Sequence, residues 1–199
     1  MSERAKSAQS LSDVPPHERI VAAARDLFCR DGIHATGIDR ILAAANASKM
    51  TLYARFGSKE ALLREVLEQE GAEWRATFFA GVEAGPPPAS GRVAQAVPAL
   101  AGMFHGGRFY GCAFMNAIAE RTKGESWLRD MAAEHHRLIR AGLERHAVAD
   151  GYAEPALLAR QVLLTLDGAI AALMVSGDPA VLDIAGRNLA AILGQANRT

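Results

Sequence analysis

The spacing of apolar residues predicts an all-α chain of about nine helices. Three observations carry this. Half of the 199 residues are apolar while aromatics stay at 6%, and Ala and Leu lead, a composition that favours helices over sheets. Apolar positions return every three or four residues in segment after segment, and no stretch alternates as a half-buried strand would. Prolines, glycines and hydroxyl residues fall where helices start and stop.

Residues 1–14 are polar, Ser-rich and aperiodic, and read as a disordered arm. With Arg4 and Lys6 set against Glu3 and Asp13, a minor-groove contact is the weaker use for it. Pro15-Pro16 suit a first helical turn, where a missing N–H costs nothing. Ile20, Ala24, Leu27 and Phe28 then recur at helical spacing, and Gly32 ends the run. Thr36 is the expected cap of the second helix, with Asp39 in capping-box position and Ile38, Ile41, Leu42 and Ala45 as its buried stripe. Asn46 stands at a turn that wants a left-handed conformation, which Asn tolerates. Ser48 caps the third helix.

On that third helix Leu52 and Phe56 face inward. Met50 and Ala54 lie opposite, flanked by Thr51 and Tyr53, with Lys49 in the first turn. Two short helices joined by a tight turn, the second turning polar, basic and aromatic side chains outward, are the layout of a helix-turn-helix that reads DNA. Residues 48–59 carry Lys49, Arg55 and Lys59 and no acid, a local basic patch. Ser58 caps a fourth helix that runs to about Glu83 through Leu63, Val66, Leu67, Trp74 and Phe78.

The stretch Gly85-Pro86-Pro87-Pro88-Ala89-Ser90-Gly91 is the clearest break. Helical patterns resume from Arg92, with Pro98 an expected kink and Gly106-Gly107 a stop. A short helix follows from Phe114 to Arg121, and a long one from Ser126 to Asp150-Gly151. Glu154-Pro155 opens the penultimate helix, which ends at Gly177, and Asp178-Pro179 opens the last.

The formal net charge is zero, so bulk electrostatics neither favour nor exclude nucleic acid. Cys29 and Cys112 fit no zinc or redox spacing, so neither a metal site nor a cofactor is expected, and reduced thiols suit a cytoplasmic protein. His135, His136 and His146 share a helix but lie too far apart for one ion, and are expected to be solvated or hydrogen-bonded. The apolar region from Val162 to Val175 is broken by Thr165, Asp167 and Gly168 and reads as too short to span a bilayer, so no membrane partner is expected. No nucleophile elbow, Walker sequence or paired carboxylates speak for an enzyme.

Over residues 17–63 the chain resembles the TetR/AcrR-type transcriptional regulators. The likeness rests on Ala24 and Phe28 before Gly32, on Thr36 and Ile41, and on Ala45-Asn46-Ala47-Ser48 followed by Thr51-Leu52-Tyr53, Phe56, Lys59, Glu60 and Leu62. Asn46 replaces the family's usual turn glycine, Gly37 a usual hydroxyl residue, and Arg55 a common histidine. The resemblance implies a three-helix DNA-binding domain over residues 15–60. A helical domain over 61–199 would bind a small effector and dimerise through its last two helices. It also implies that Lys49, Met50 and Tyr53 face base edges while Thr36, Thr51, Arg55 and Lys59 hold phosphates, with Tyr53 able to do either.

Candidates in the second domain are less specific. Met103, Phe104, Phe109, Tyr110, Cys112, Phe114, Met115 and Trp127 suit an adaptable apolar effector pocket, with Asn116, Glu120 and Asp167 as polar groups beside them. Cys112 reads as a sensor or as a packed side chain. Leu166, Ile170, Leu173, Leu182, Ala185, Leu189 and Leu193 are interface candidates, and Gly168, Ala169, Ala171 and Ala172 would permit close helix approach. The expected function is a homodimeric repressor released from a palindromic double-stranded DNA operator by a small molecule. The alternative is a DNA-binding regulator without a small ligand, governed by a protein partner or acting as an activator.

Overall fold

In the computed structural model the described residues are 14–106, 110–120 and 126–198. The expected arm, apart from Val14, and the pocket candidate Phe109 lie outside them. Among the described residues there are nine α-helices and no strand: α1 (Pro16–Asp31), α2 (Ile38–Ala45), α3 (Lys49–Phe56), α4 (Lys59–Glu83), α5 (Ala96–His105), α6 (Ala113–Glu120), α7 (Ser126–Ala149), α8 (Pro155–Ser176) and α9 (Ala180–Gln195). The all-α expectation holds. The chain divides into two compact units. The first runs to Glu70 and takes back a segment starting at Asn116; the second holds Gly71 to Met115 and the C-terminal helices. The division thus falls within α4, ten residues beyond the expected boundary at 60, because apolar positions Leu62, Leu63, Val66 and Leu67 are still buried with the first three helices.

In unit one, Ile20, Ala24, Leu27 and Phe28 of α1 meet Ile41, Leu42 and Ala45 of α2 and Leu52 of α3, all buried. Asn46 takes the left-handed conformation, φ 46° and ψ 55°, that the turn requires. Arg19, which the sequence reading passed over, locks this turn: its Nε donates to the Ala45 carbonyl at 3.0 Å and a terminal nitrogen to the Asn46 carbonyl at 3.0 Å. Thr36 is not the cap of α2. Gly37 holds the N-cap position without a side-chain bond, and the Thr36 hydroxyl donates back to the Gly32 carbonyl at 2.7 Å from a fully buried position.

In unit two, a 3₁₀ turn at Arg92–Gln95 leads into α5. Pro98 falls in the first turn of α5, where no intrahelical N–H bond is due. Gly142 lets α7 approach α4 closely, since a Cβ there would enter the Phe79 ring. The apolar run of the penultimate helix is longer than the sequence reading allowed. Over its 22 residues α8 is long and apolar enough, by length and composition, to cross a membrane. Here it packs against α7 and α9 through Leu158, Val162, Leu166, Ile170 and Leu173.

Candidate nucleic-acid interface

The surface of α3 is built from a tight frame. Ser48 accepts a bond from the Thr51 N–H at 3.1 Å, the expected N-cap. Gly57, at φ 75°, ends the helix by returning its N–H to the Tyr53 carbonyl at 3.0 Å. Leu52 anchors the inner face, fully buried, while Phe56 is half-buried. On the outer face Met50 is 80% exposed and Tyr53 49%. A largely exposed methionine and a half-exposed tyrosine on one short helix are side chains that could offer apolar surface and a hydroxyl to a base edge or phosphate. The Thr51 hydroxyl is half-exposed and lies 2.9 Å from that of Ser48. Lys49 is exposed, and its ammonium reaches Asp39 of α2 at 2.8 Å; that hydrogen bond raises the lysine pKa, so the charge is secure. Arg55 is exposed, 5.2 Å over the Phe56 ring and 3.9 Å from Glu65.

Two expected phosphate contacts are placed elsewhere. Thr36 is buried and bonded inward, so its hydroxyl cannot reach a phosphate. The Lys59 ammonium donates to the Ile33 carbonyl at 2.6 Å and sits 5.8 Å over the Phe28 ring. It fastens the loop between α1 and α2. Glu120, expected in the effector pocket, holds the same loop: its carboxylate accepts from the Ile33 N–H at 2.7 Å and the His34 N–H at 3.0 Å. The His34 ring also meets the Glu120 carbonyl at 2.5 Å. A carboxylate taking two backbone N–H bonds is a strong clasp, and it belongs to unit one.

The remaining pocket candidates scatter over unit two and its edge. Met103 lines a groove of 660 Å³ with Thr77, Gly81, Pro98 and Gly102. Cys112 is buried, Tyr110 exposed, and Phe104, Met115, Asn116 and Trp127 half-buried. Phe114 and Asp167 come together with histidines of α7. Phe114 stacks on His135, ring centres 4.5 Å apart, and Asp167 meets His136 at 3.5 Å. His135 is 5% exposed; its Nδ1 accepts from Arg75 at 2.8 Å, which leaves the ring proton on Nε2. Burial, then the Arg75 guanidinium, then His136 hold its pKa down at about 4.

His135 is therefore neutral when folded and takes up a proton on unfolding between the ordinary pKa of 6.5 and about 4. Its contribution is fully present above pH 6.5 and lost as pH falls through that window, about 3 kcal/mol in all. Asp167, whose carboxyl is pushed up by burial, works in the opposite sense toward the acid end. Urea unfolding across this range should show the loss for the wild type and a flatter profile for His135→Asn. Equal profiles would refute the buried neutral imidazole.

The chain has relatives among known proteins. The sequence pattern of the bacterial regulatory proteins of the tetR family matches residues 20–66. The HTH-type transcriptional repressor SCO4008 of Streptomyces coelicolor is 33% identical over 147 residues, 70% of this chain and 71% of that protein. The HTH-type transcriptional regulator UidR of Escherichia coli is 35% identical over 69 residues, 35% of each chain. Among solved structures, SCO4454, a TetR-family transcriptional regulator from Streptomyces coelicolor, matches with a TM-score of 0.78 at 28% identity, covering 90% of this chain and 94% of that one. An exposed third helix, a locked turn before it and these relatives together place the chain in the tetR family of bacterial regulatory proteins, as a helix-turn-helix transcriptional regulator and not an enzyme.

Proposed function

We propose that the protein is a homodimeric repressor that holds a palindromic operator and lets go of it when unit two binds a small molecule. The outward face of α3 carries the reading. Met50 and Tyr53 stand exposed beside Lys49 on a helix whose inner face is anchored, a placement that suits base contact. Arg55 is the phosphate-holding cation in this reading, and Thr51 adds a hydroxyl to the backbone contact.

A dimer is supported by an exposed face of α8 distinct from the interface candidates named from the sequence. Leu166, Ile170, Leu173, Leu182, Ala185, Leu189 and Leu193 are all buried in the chain's own core, none more than 9% exposed. They are taken up by this chain's own packing. The opposite face of α8 carries Leu157, Gln161, Leu164, Gly168, Ala171 and Val175, all exposed and alternating steps of four and three. That is the spacing of a helix seam made to pack on another helix. Leu164 is 73% exposed and Val175 90%, and beyond its chain neighbours and its own helix backbone no described residue lies within 4 Å of where a Cβ on Gly168 would stand. A second copy covering this face would double the base contacts on a two-fold site. Selection of bound DNA from a random pool tests the reading. A palindrome with half-sites about one helical turn, ~34–36 Å, apart or a multiple of it is expected; an unrepeated half-site or no enrichment would overturn it.

A further inference from the structure

The turn between α2 and α3 carries a conformational cost. Asn46 is the one non-glycine among the described residues with a positive φ, a conformation that any side chain disfavours. The end of α2 supplies part of the restraint. The Asn46 and Ala47 N–H groups return to the Ala43 and Leu42 carbonyls at 3.4 and 3.1 Å. The carbonyls of Ala45 and Asn46 belong to the helix end that no intrahelical N–H serves, and α1 answers both. Arg19 donates from Nε to the first and from Nη2 to the second, each at 3.0 Å, while Nη1 takes the Val14 carbonyl at 2.9 Å. The arginine works from a fixed base, because Ile20, Val21 and Ala24 bury α1 in the core of unit one.

A second tie crosses the same turn, from Lys49 to Asp39 at 2.8 Å. Both side chains are exposed, where an ion pair holds weakly and salt screens it. Lys49 also gives up that pair when it turns to a base edge. Arg19 is half-buried and grips backbone, so its hold does not depend on where the side chains of α3 point. Only Ala47 and Ser48 separate Asn46 from Lys49, and a change at the turn is carried into the whole of α3. A tilt of about 10° there moves the far end of an eight-residue helix by about 2 Å, enough to break a hydrogen bond to a base.

We propose that Arg19 is a positioning residue for sequence reading. By gripping the Ala45 and Asn46 carbonyls it fixes the angle at which α3 is presented, and so sets base discrimination without touching DNA. This rests on the reading of α3 as the DNA-contacting helix. It adds that α1 decides how selectively that helix works.

The test uses the full chain, with the selected operator and with random-sequence DNA of the same length. Arg19→Lys keeps the charge but loses the planar fork that reaches two carbonyls at once. If the loosened turn presents α3 productively about a tenth to a third of the time, each copy loses that factor, and the operator-to-random affinity ratio falls about ten- to a hundredfold for two copies. The log–log salt slope should stay as in the wild type, since no phosphate contact is lost. Asn46→Gly removes the steric penalty at the turn, and added to Arg19→Lys it should recover about half of the loss on a logarithmic scale. Hydrogen exchange on the free protein gives a reading without DNA. The Ala47 and Leu52 amides should lose protection while those from Ala24 to Phe28 in α1 keep theirs. An unchanged affinity ratio, a salt slope flattened by about two, no recovery by Asn46→Gly, or protection lost evenly across unit one would each overturn the proposal. Met50→Ala and Tyr53→Ala are measured alongside. If both bind the operator as the wild type does, the inference falls together with the reading of α3; if they weaken binding and Arg19→Lys does not, it falls alone.

Discussion

Replacing Leu164 with arginine is expected to leave a folded chain that is monomeric and has lost most of its hold on operator DNA. Leu164 is 73% exposed on α8 and contributes little to the intrachain core, so its helical circular dichroism and unfolding midpoint should stay near those of the wild type. In a dimer built on the Leu157–Val175 row, the same side chain lies at the centre of the seam. A charge there has no partner and must be withdrawn from water. Without the second copy, the two half-sites no longer act at a common effective concentration, and operator affinity should fall about a hundred- to ten-thousandfold. Sedimentation velocity gives the oligomeric state and anisotropy at fixed salt gives the affinity. Leu166→Ala, two residues along, is the contrast. That side chain is 1% exposed and its truncation should cost about 2–5 kcal/mol of folding stability, as for other buried leucines. A Leu164→Arg chain that remains dimeric would send the interface elsewhere.

The contrast also marks where the sequence could be read and where it could not. Helix limits were legible because caps are local: Ser48, Asn46 and Gly57 act on N–H and carbonyl groups within a few residues. The inward and outward sides of α3 were legible for the same reason, since one buried stripe on a short helix fixes both. On α8 periodicity names two apolar faces and cannot say which belongs to the chain and which to a partner; the brighter stripe, Leu166 to Leu173, was the core. The roles of Thr36, Lys59 and Glu120 were misread because their partners are remote or on the backbone. Glu120 closes on His34 and Ile33 from 86 and 87 residues away, and Lys59 reaches a carbonyl 26 residues back. Arg19 and Arg75 were missed likewise: each is a cation whose use shows only when the helices are assembled.

Tyr53→Ala is expected to weaken operator binding more than any other single change on α3. Its ring is 49% exposed and its backbone carbonyl, not its side chain, is what closes the helix on Gly57. Removing the ring therefore leaves the frame intact. A specific side-chain contact to a site is worth about 1–3 kcal/mol, and a dimer loses it twice. The combined loss of about 2–6 kcal/mol corresponds to roughly thirtyfold to ten-thousandfold in affinity at constant salt. Arg55→Ala should behave differently. A phosphate contact carries no base information, so affinity should fall on all sequences alike, and the log–log salt dependence should flatten by about two for the two copies. Lys59→Ala should leave that slope unchanged, because its ammonium is spent on the Ile33 carbonyl; its cost should appear in folding stability instead. Measuring affinity across a salt series for the three variants separates the roles. A Tyr53→Ala protein with wild-type affinity for the selected operator would remove α3 as the reader, whatever the dimer does.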